Sequence, residues 1–241
     1  ISAYDPKTGD PISCPIKKTT EFEMSSGRKN LPPPPLRDGT MQFYRRNGAG
    51  MYPNQHTDYV AATLQFSRFF GGWEVAVVRL KPPTFFKTLS GQSPFSGSEE
   101  VRYWSFCLGT PSTMTMGCLA DEQLKIGSDG YVNLVVGEPE LEEEVTKAGL
   151  NFLSKKKLLF AFLIYRNLSA SPSWKYSISH VPVWRSPLET DEDLPDDAEE
   201  RMEASHFLGE HSPQGKQCDL ETFRKNYCGV KVSFPAGSTI R

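Results

Sequence analysis

The feature that most constrains this chain is an apolar pattern of period two. It starts near Met41 and recurs in short runs broken by glycine, proline and polar clusters. Val60, Ala62, Leu64 and Phe66 alternate with Thr63, Gln65 and Ser67, as in a strand with one buried face. Trp73–Leu80 is almost continuously apolar, as a strand covered on both faces would be. Gly71-Gly72 between these runs reads as a hairpin turn.

Further strands are expected at Val101–Leu108, Tyr131–Val136 and Leu158–Tyr165, with a weaker edge strand at Tyr176–Trp184, where Pro182 cannot donate to a ladder. In Val101–Leu108, Arg102, Trp104, Phe106 and Leu108 share one face; Val101, Tyr103, Ser105 and Cys107 share the other. Glu140–Phe152 has helical spacing, and a short helix is expected over Leu220–Tyr227 before Val230, Val232 and Phe234 alternate again. Strands outnumber helices and no repeated strand–helix unit is visible. The expected fold is therefore mainly β, an antiparallel β-sandwich or jelly roll with a few short peripheral helices.

The chain has 241 residues, enough for a core that needs no metal or disulfide. It is expected to divide into an extended arm over 1–40, a sandwich core over 41–188, an acidic loop over 189–205 and a C-terminal extension over 206–241 packing on the core. Pro6, Pro11, Pro15 and the run Pro32–Pro35 punctuate the arm. Glu189–Glu203 holds nine acids against Arg201 alone, a run that repels itself and stays solvated. The net charge of −2 argues against a nucleic-acid binder. The longest apolar run, Leu158–Tyr165, is too short to cross a membrane as a helix.

The five cysteines are Cys14, Cys107, Cys118, Cys218 and Cys228. Cys107 and Cys118 flank a glycine- and proline-containing return between strands. A disulfide there would contribute about 3 kcal/mol through loop entropy. For the second bridge Cys14, Cys218 and Cys228 compete, and pairing Cys14 with one of the C-terminal cysteines is favoured because it would tie down the arm. Asn167-Leu168-Ser169 is a glycosylation sequon. The chain begins at Ile1, and these features together suggest a mature form, freed of a targeting segment, in a secreted or lumenal compartment.

Reactive motifs are scarce. The phosphate-cradling Gly-x-x-x-x-Gly-Lys-[Ser/Thr] and Gly-x-Gly-x-x-Gly are absent, as is the nucleophile elbow Gly-x-Ser-x-Gly. Ser154 and Lys157 have Ser-x-x-Lys spacing but belong to a lysine-rich loop. His206 and His211 are five residues apart with Gly209 between, the wrong spacing for a zinc helix, and Cys218 and Cys228 do not complete a zinc-finger pattern. No metal and no cofactor is expected. His56 and Asp58, two apart at a strand mouth, could bind a metal or act as acid and base, although a hydrogen-bonded turn that starts the strand is the favoured reading. Asp121 with Arg102 could form a charged ligand site, beside which Trp104 could stack on an apolar or sugar ring.

The run Val101-Arg102-Tyr103-Trp104-Ser105-Phe106-Cys107 is followed by Gly117-Cys118-Leu119-Ala120-Asp121 and by Asp129-Gly130-Tyr131-Val132-Asn133. With Val77–Phe85, Leu163–Asn167 and Gly209-Glu210, this pattern resembles a group of uncharacterised, mostly exported microbial proteins. The Tyr-Trp-Ser strand with its downstream Asp-Gly turn is also similar to larger jelly-roll families of unknown function. The resemblance covers roughly residues 40–220 and implies an exported β-sandwich; it carries over no catalytic residue. The leading expectation is a non-catalytic binding module, or an accessory subunit with a protein partner. The alternatives are a hydrolase or cyclase using His56 and Asp58 or Arg102 and Asp121, and a carbohydrate-binding module taking a glycan on Trp104 or Trp73.

Overall fold

The structure is a computed structural model that describes residues 3–4, 11–12, 33–45, 57–66, 72–93, 97–110, 114–184 and 202–236. Two short strands, β1 (Ala3–Tyr4) and β2 (Pro11–Ile12), pair with each other. The remaining strands are β3 (Thr40–Met41), β4 (Tyr44–Arg45), β5 (Thr57–Gln65), β6 (Val75–Leu80), β7 (Val101–Gly109), β8 (Thr115–Ala120), β9 (Val132–Gly137), β10 (Asn151–Ser154), β11 (Phe160–Ala170) and β12 (Gln214–Cys218). Among the described residues they are accompanied by short helices α1 (Glu142–Lys147), α2 (Ser205–Leu208) and α3 (Leu220–Asn226).

The strands form two five-stranded sheets. The first runs β10-β9-β6-β12-β3 and the second β4-β5-β11-β7-β8. Their facing sides share one core. Ala76, Val78, Leu80, Leu134 and Val136 of the first sheet pack with Val60, Leu64, Phe106, Leu108 and Leu163 of the second. The fold is thus mainly β and layered, as the alternation requires. All six residues of β6 are buried, because Val75 and Val77 face a second core on the outer side of the first sheet. That core includes Val145 of α1, Phe223 of α3 and both C-terminal cysteines.

Several expectations need correction. All strand pairs of the two large sheets are antiparallel except β10 with β9, which is parallel. A parallel neighbour needs a crossover, and α1 supplies it. The expected helix over Glu140–Phe152 therefore stops at Lys147: Gly149, at φ 85°, turns the chain. The Gly149 N–H donates to the Thr146 carbonyl and the Leu150 N–H to that of Val145, the paired bonds of a Schellman stop. β5 and β6 belong to different sheets, so the run around Gly72 is no hairpin.

Tyr176–Trp184 forms a turn and a 3-10 segment at Ile178–His180 rather than a strand. Val230, Val232 and Phe234 also form no strand, and pack instead against the second core. β12, which the sequence reading missed, lies between β6 and β3. Its polar sequence hides a structural use. The fully buried Gln217 amide accepts from the Gln65 N–H and donates to the Gln65 carbonyl, both at 3.2 Å, stitching one sheet to the other.

The disulfides are Cys107–Cys118, as expected, and Cys218–Cys228. The second corrects the favoured pairing with Cys14, a residue outside those described. α3 and the left-handed residues Tyr227 and Cys228 fold the chain back onto the end of β12 and bury both sulfur-bearing residues. The acidic run before Met202 also lies outside the described residues. Among the described residues no helix is long and apolar enough to cross a membrane.

Candidate binding site

One end of the inter-sheet core is polar. Across the second sheet, Asp58 of β5, Asn167 of β11 and Trp104 of β7 stand directly opposite one another in register. The next residues inward on the same face are Val60, Tyr165 and Phe106. Period two alone sets this arrangement, since each step of two residues returns to the inner face.

Trp104 is fully buried. Its ring centroid lies 6.2 Å from Phe85, 6.3 Å from Phe106 and 6.2 Å from Tyr165, all edge to face. Such contacts fix an indole in orientation. Burial pushes the Tyr165 phenol far above its ordinary range, so it stays a neutral hydroxyl; the adjacent Asn167 amide opposes that shift only in part. The Tyr165 hydroxyl and the Asn167 side chain pair with each other, whereas the Trp104 indole N–H is buried with no hydrogen-bond partner among the described residues.

Trp174 belongs to the same core cluster as Trp104 and Tyr165, and Tyr176 packs against that cluster. Trp174 follows a turn in which its N–H donates to the Ser171 carbonyl. Its ring stands 5.3 Å from the His211 ring, perpendicular to it, and Tyr176 lies 5.4 Å from His211 on a tilted plane. Gly209, at φ 52°, lets the chain pass under Tyr176: a Cβ there would lie 2.7 Å from the Tyr176 ring.

His211 is 5% exposed, and its Nδ1 lies 3.0 Å from the Lys81 carbonyl oxygen. A carbonyl only accepts, so Nδ1 carries the proton and Nε2 presents a lone pair. Burial holds the imidazole pKa below its usual value. The Glu100 carboxylate acts electrostatically on both Tyr165 and His211. The Trp174 indole N–H and the Ser212 hydroxyl are likewise buried with no hydrogen-bond partner among the described residues.

Five side chains, Trp104, Tyr165, Asn167, Trp174 and Ser212, bury polar atoms, and among them the Trp104 and Trp174 indole N–H groups and the Ser212 hydroxyl have no hydrogen-bond partner among the described residues. Buried polar groups normally have partners, and each unsatisfied one costs about 1–3 kcal/mol. No charged side chain is among the five. The set suits a small, uncharged, polar molecule.

The residues singled out in the sequence distribute as follows. Trp104 lies in the site, but in the core, where it offers no open platform to a glycan; Trp73 is half-buried. Asp58 is held by Arg45 at 2.7 Å, and Arg45 also donates to the Ser179 and Val181 carbonyls. This ion pair pins the Ile178–His180 turn to the sheet edge. His56 lies outside the described residues.

Asp121 is buried and makes no ion pair with Arg102, which is exposed. Its carboxylate accepts from the Trp104 N–H at 3.2 Å and the Glu122 N–H at 2.8 Å, standing in for the ladder where β8 ends. Burial raises its pKa, with those two N–H groups opposing. Asn167 is 1% exposed and points into the core, so it cannot carry a glycan in this fold. His206 is exposed while His211 is buried, and among the described residues no three His, Cys, Asp or Glu side chains converge on a metal position.

Tyr165, Trp174, His211 and Ser212 were not identified from sequence as a ligand site. Tyr165, Trp174 and the pair His211-Ser212 carry no shared spacing that would mark them as a site.

No protein-family profile matches the chain, and no curated protein does. Among solved structures it is similar to a putative uncharacterized protein from Burkholderia cenocepacia, at 16% identity and a TM-score of 0.37, over 72% of this chain and 43% of that one. It is also similar to the VPA0106 protein from Vibrio parahaemolyticus, at 12% identity and a TM-score of 0.34, over 82% of this chain and 34% of that one. The chain therefore spans less than half the length of either, and likeness at this level carries no functional argument.

Proposed function

We propose that the chain is a non-catalytic binding module of an oxidising compartment, with its ligand site at the polar end of the inter-sheet core. The observation that carries this reading is a set of buried polar atoms without hydrogen-bond partners among the described residues, the Trp104 and Trp174 indole N–H groups and the Ser212 hydroxyl. The two disulfides support the compartment. The carboxylates considered for acid–base work are already engaged: Asp58 holds Arg45, and Asp121 holds backbone N–H groups. That favours binding over turnover by those residues.

The test is a thermal-shift and titration series with methyl glycosides, nucleosides and aromatic amides on the wild-type chain and on Trp104→Phe. The variant keeps a ring and loses the indole N–H. One of these compound classes is expected to stabilise the wild type, and Trp104→Phe is expected to bind it about ten-fold more weakly, the loss of roughly 1.5 kcal/mol. Equal binding by both proteins, or none by the wild type, would contradict the reading.

A further inference from the structure

The two disulfides close loops of nearly equal length, with sequence separations of 11 and 10. Their surroundings differ. Cys218 and Cys228 are both buried in the second core, at 5% and 3% exposure. Cys107 and Cys118 stand directly opposite each other on β7 and β8, on the outer face of the second sheet. Cys107 is 3% exposed, but Cys118 lies exposed on β8, the edge strand.

Beside the buried sulfur, the Ser105 hydroxyl oxygen lies 4.0 Å from Cys107 Sγ, and Ser105 is fully buried. Arg166 of β11 is the residue opposite Ser105, on the same face.

Thiol–disulfide exchange needs an accessible sulfur for the incoming thiolate and a stabilised position for the departing one. Access selects Cys118 as the attacked sulfur, which leaves Cys107 as the departing one. A hydroxyl donates more strongly to a thiolate than to a disulfide sulfur, because the acceptor is then charged. A guanidinium on the same face lowers the cost of that charge.

We propose that Cys107–Cys118 is a thiol-exchange site, at which an external thiolate attacks Cys118 and the Ser105 hydroxyl receives Cys107 as the departing thiolate. The reagent's sulfur forms a bond to Cys118 Sγ, and the Cys107–Cys118 bond breaks with its electron pair going to Cys107. With a monothiol the product is a mixed disulfide on Cys118. With a dithiol, the second thiolate of the reagent displaces Cys118; the reagent leaves as a disulfide and the chain keeps two thiols. Cys218–Cys228 takes no part.

The experiment treats the whole folded chain at near-neutral pH with increasing reduced glutathione, quenches with N-ethylmaleimide and maps the modified peptides by mass spectrometry. The expected result is glutathione on Cys118 and maleimide on Cys107, with Cys218 and Cys228 unmodified at about ten-fold higher glutathione. Glutathione on Cys107, simultaneous modification of all four cysteines, or no modification short of unfolding would overturn the proposal. In Ser105→Ala the adduct should form about three-fold more slowly, and maleimide should trap Cys107 only at higher pH, because the thiolate has lost its donor. An unchanged rate and pH profile would overturn the assignment of Ser105.

Discussion

His211 shows how burial changes what a side chain contributes. In an unfolded chain its imidazole titrates near the ordinary value, roughly 6.5. In the fold, burial lowers the pKa, against the opposing pull of the Glu100 and Glu210 carboxylates and of its hydrogen bond to the Lys81 carbonyl. As pH falls, the unfolded chain takes up the proton first, so the stability associated with neutral His211 is full above the ordinary value. It is lost as pH falls through that value toward the depressed one. Between pH 7.5 and 5.5 the urea midpoint of the wild type should fall. His211→Phe should show a lower midpoint at pH 7.5, through the lost bond to Lys81, but a smaller change across the same interval. An equal change in both proteins would place the sensitivity elsewhere. None of this was legible in the sequence, where His206 and His211 look alike; one is exposed and the other buried only because α2 turns at Gly209.

At the scale of elements, the passage from β10 to β11 is the most telling. These strands belong to different sheets, and the chain crosses at Lys155–Leu158, where the Leu158 N–H donates to the Lys155 carbonyl. Lys156 and Lys157 both have positive φ, 45° and 62°, a conformation that disfavours residues with a Cβ. Glu138 holds the turn: its carboxylate pairs with the buried Lys155 ammonium and accepts from the Lys157 N–H.

Two substitutions should move stability in opposite directions, read by chemical denaturation. Lys157→Gly relieves the left-handed residue and is expected to stabilise by about 0.5–1 kcal/mol. Glu138→Ala leaves Lys155 buried without its counter-charge and is expected to cost about 3 kcal/mol. A destabilised Lys157→Gly would contradict this description of the turn. The strand cores β5, β6, β7, β9 and β11 were readable because apolar side chains alternate or run together there. β12 was not, because what buries Gln217 is a pair of hydrogen bonds to Gln65 rather than an apolar side chain. Gly215 of β12 is equally silent in sequence: a Cβ there would come within 2.7 Å of Met41 Sδ and 2.9 Å of Val78 Cγ2.

At the scale of the whole molecule, two cores flank the first sheet and only one of them continues to the polar end. Period-two patterns assign faces to strands but not neighbours to strands. The layered β class was therefore legible, whereas the sheet orders, the parallel pair and the C-terminal disulfide were not. The candidate site was legible in one residue, Trp104, and its opposite neighbour Asn167 was noticed for another reason. Trp174 and Ser212 come from the segments after β11 and before β12, which carry no strand pattern that would relate them to Trp104. If the polar groups at that end serve binding, they burden the unliganded fold, because buried donors and acceptors without partners oppose folding. The most direct measurement is the urea midpoint of Ser212→Ala, which removes a buried hydroxyl that has no hydrogen-bond partner among the described residues and leaves a methyl in its place. The account predicts a rise of about 1 kcal/mol in the stability of the unliganded chain; a fall of similar size would show that the Ser212 hydroxyl is there to hold the fold together, and would contradict it.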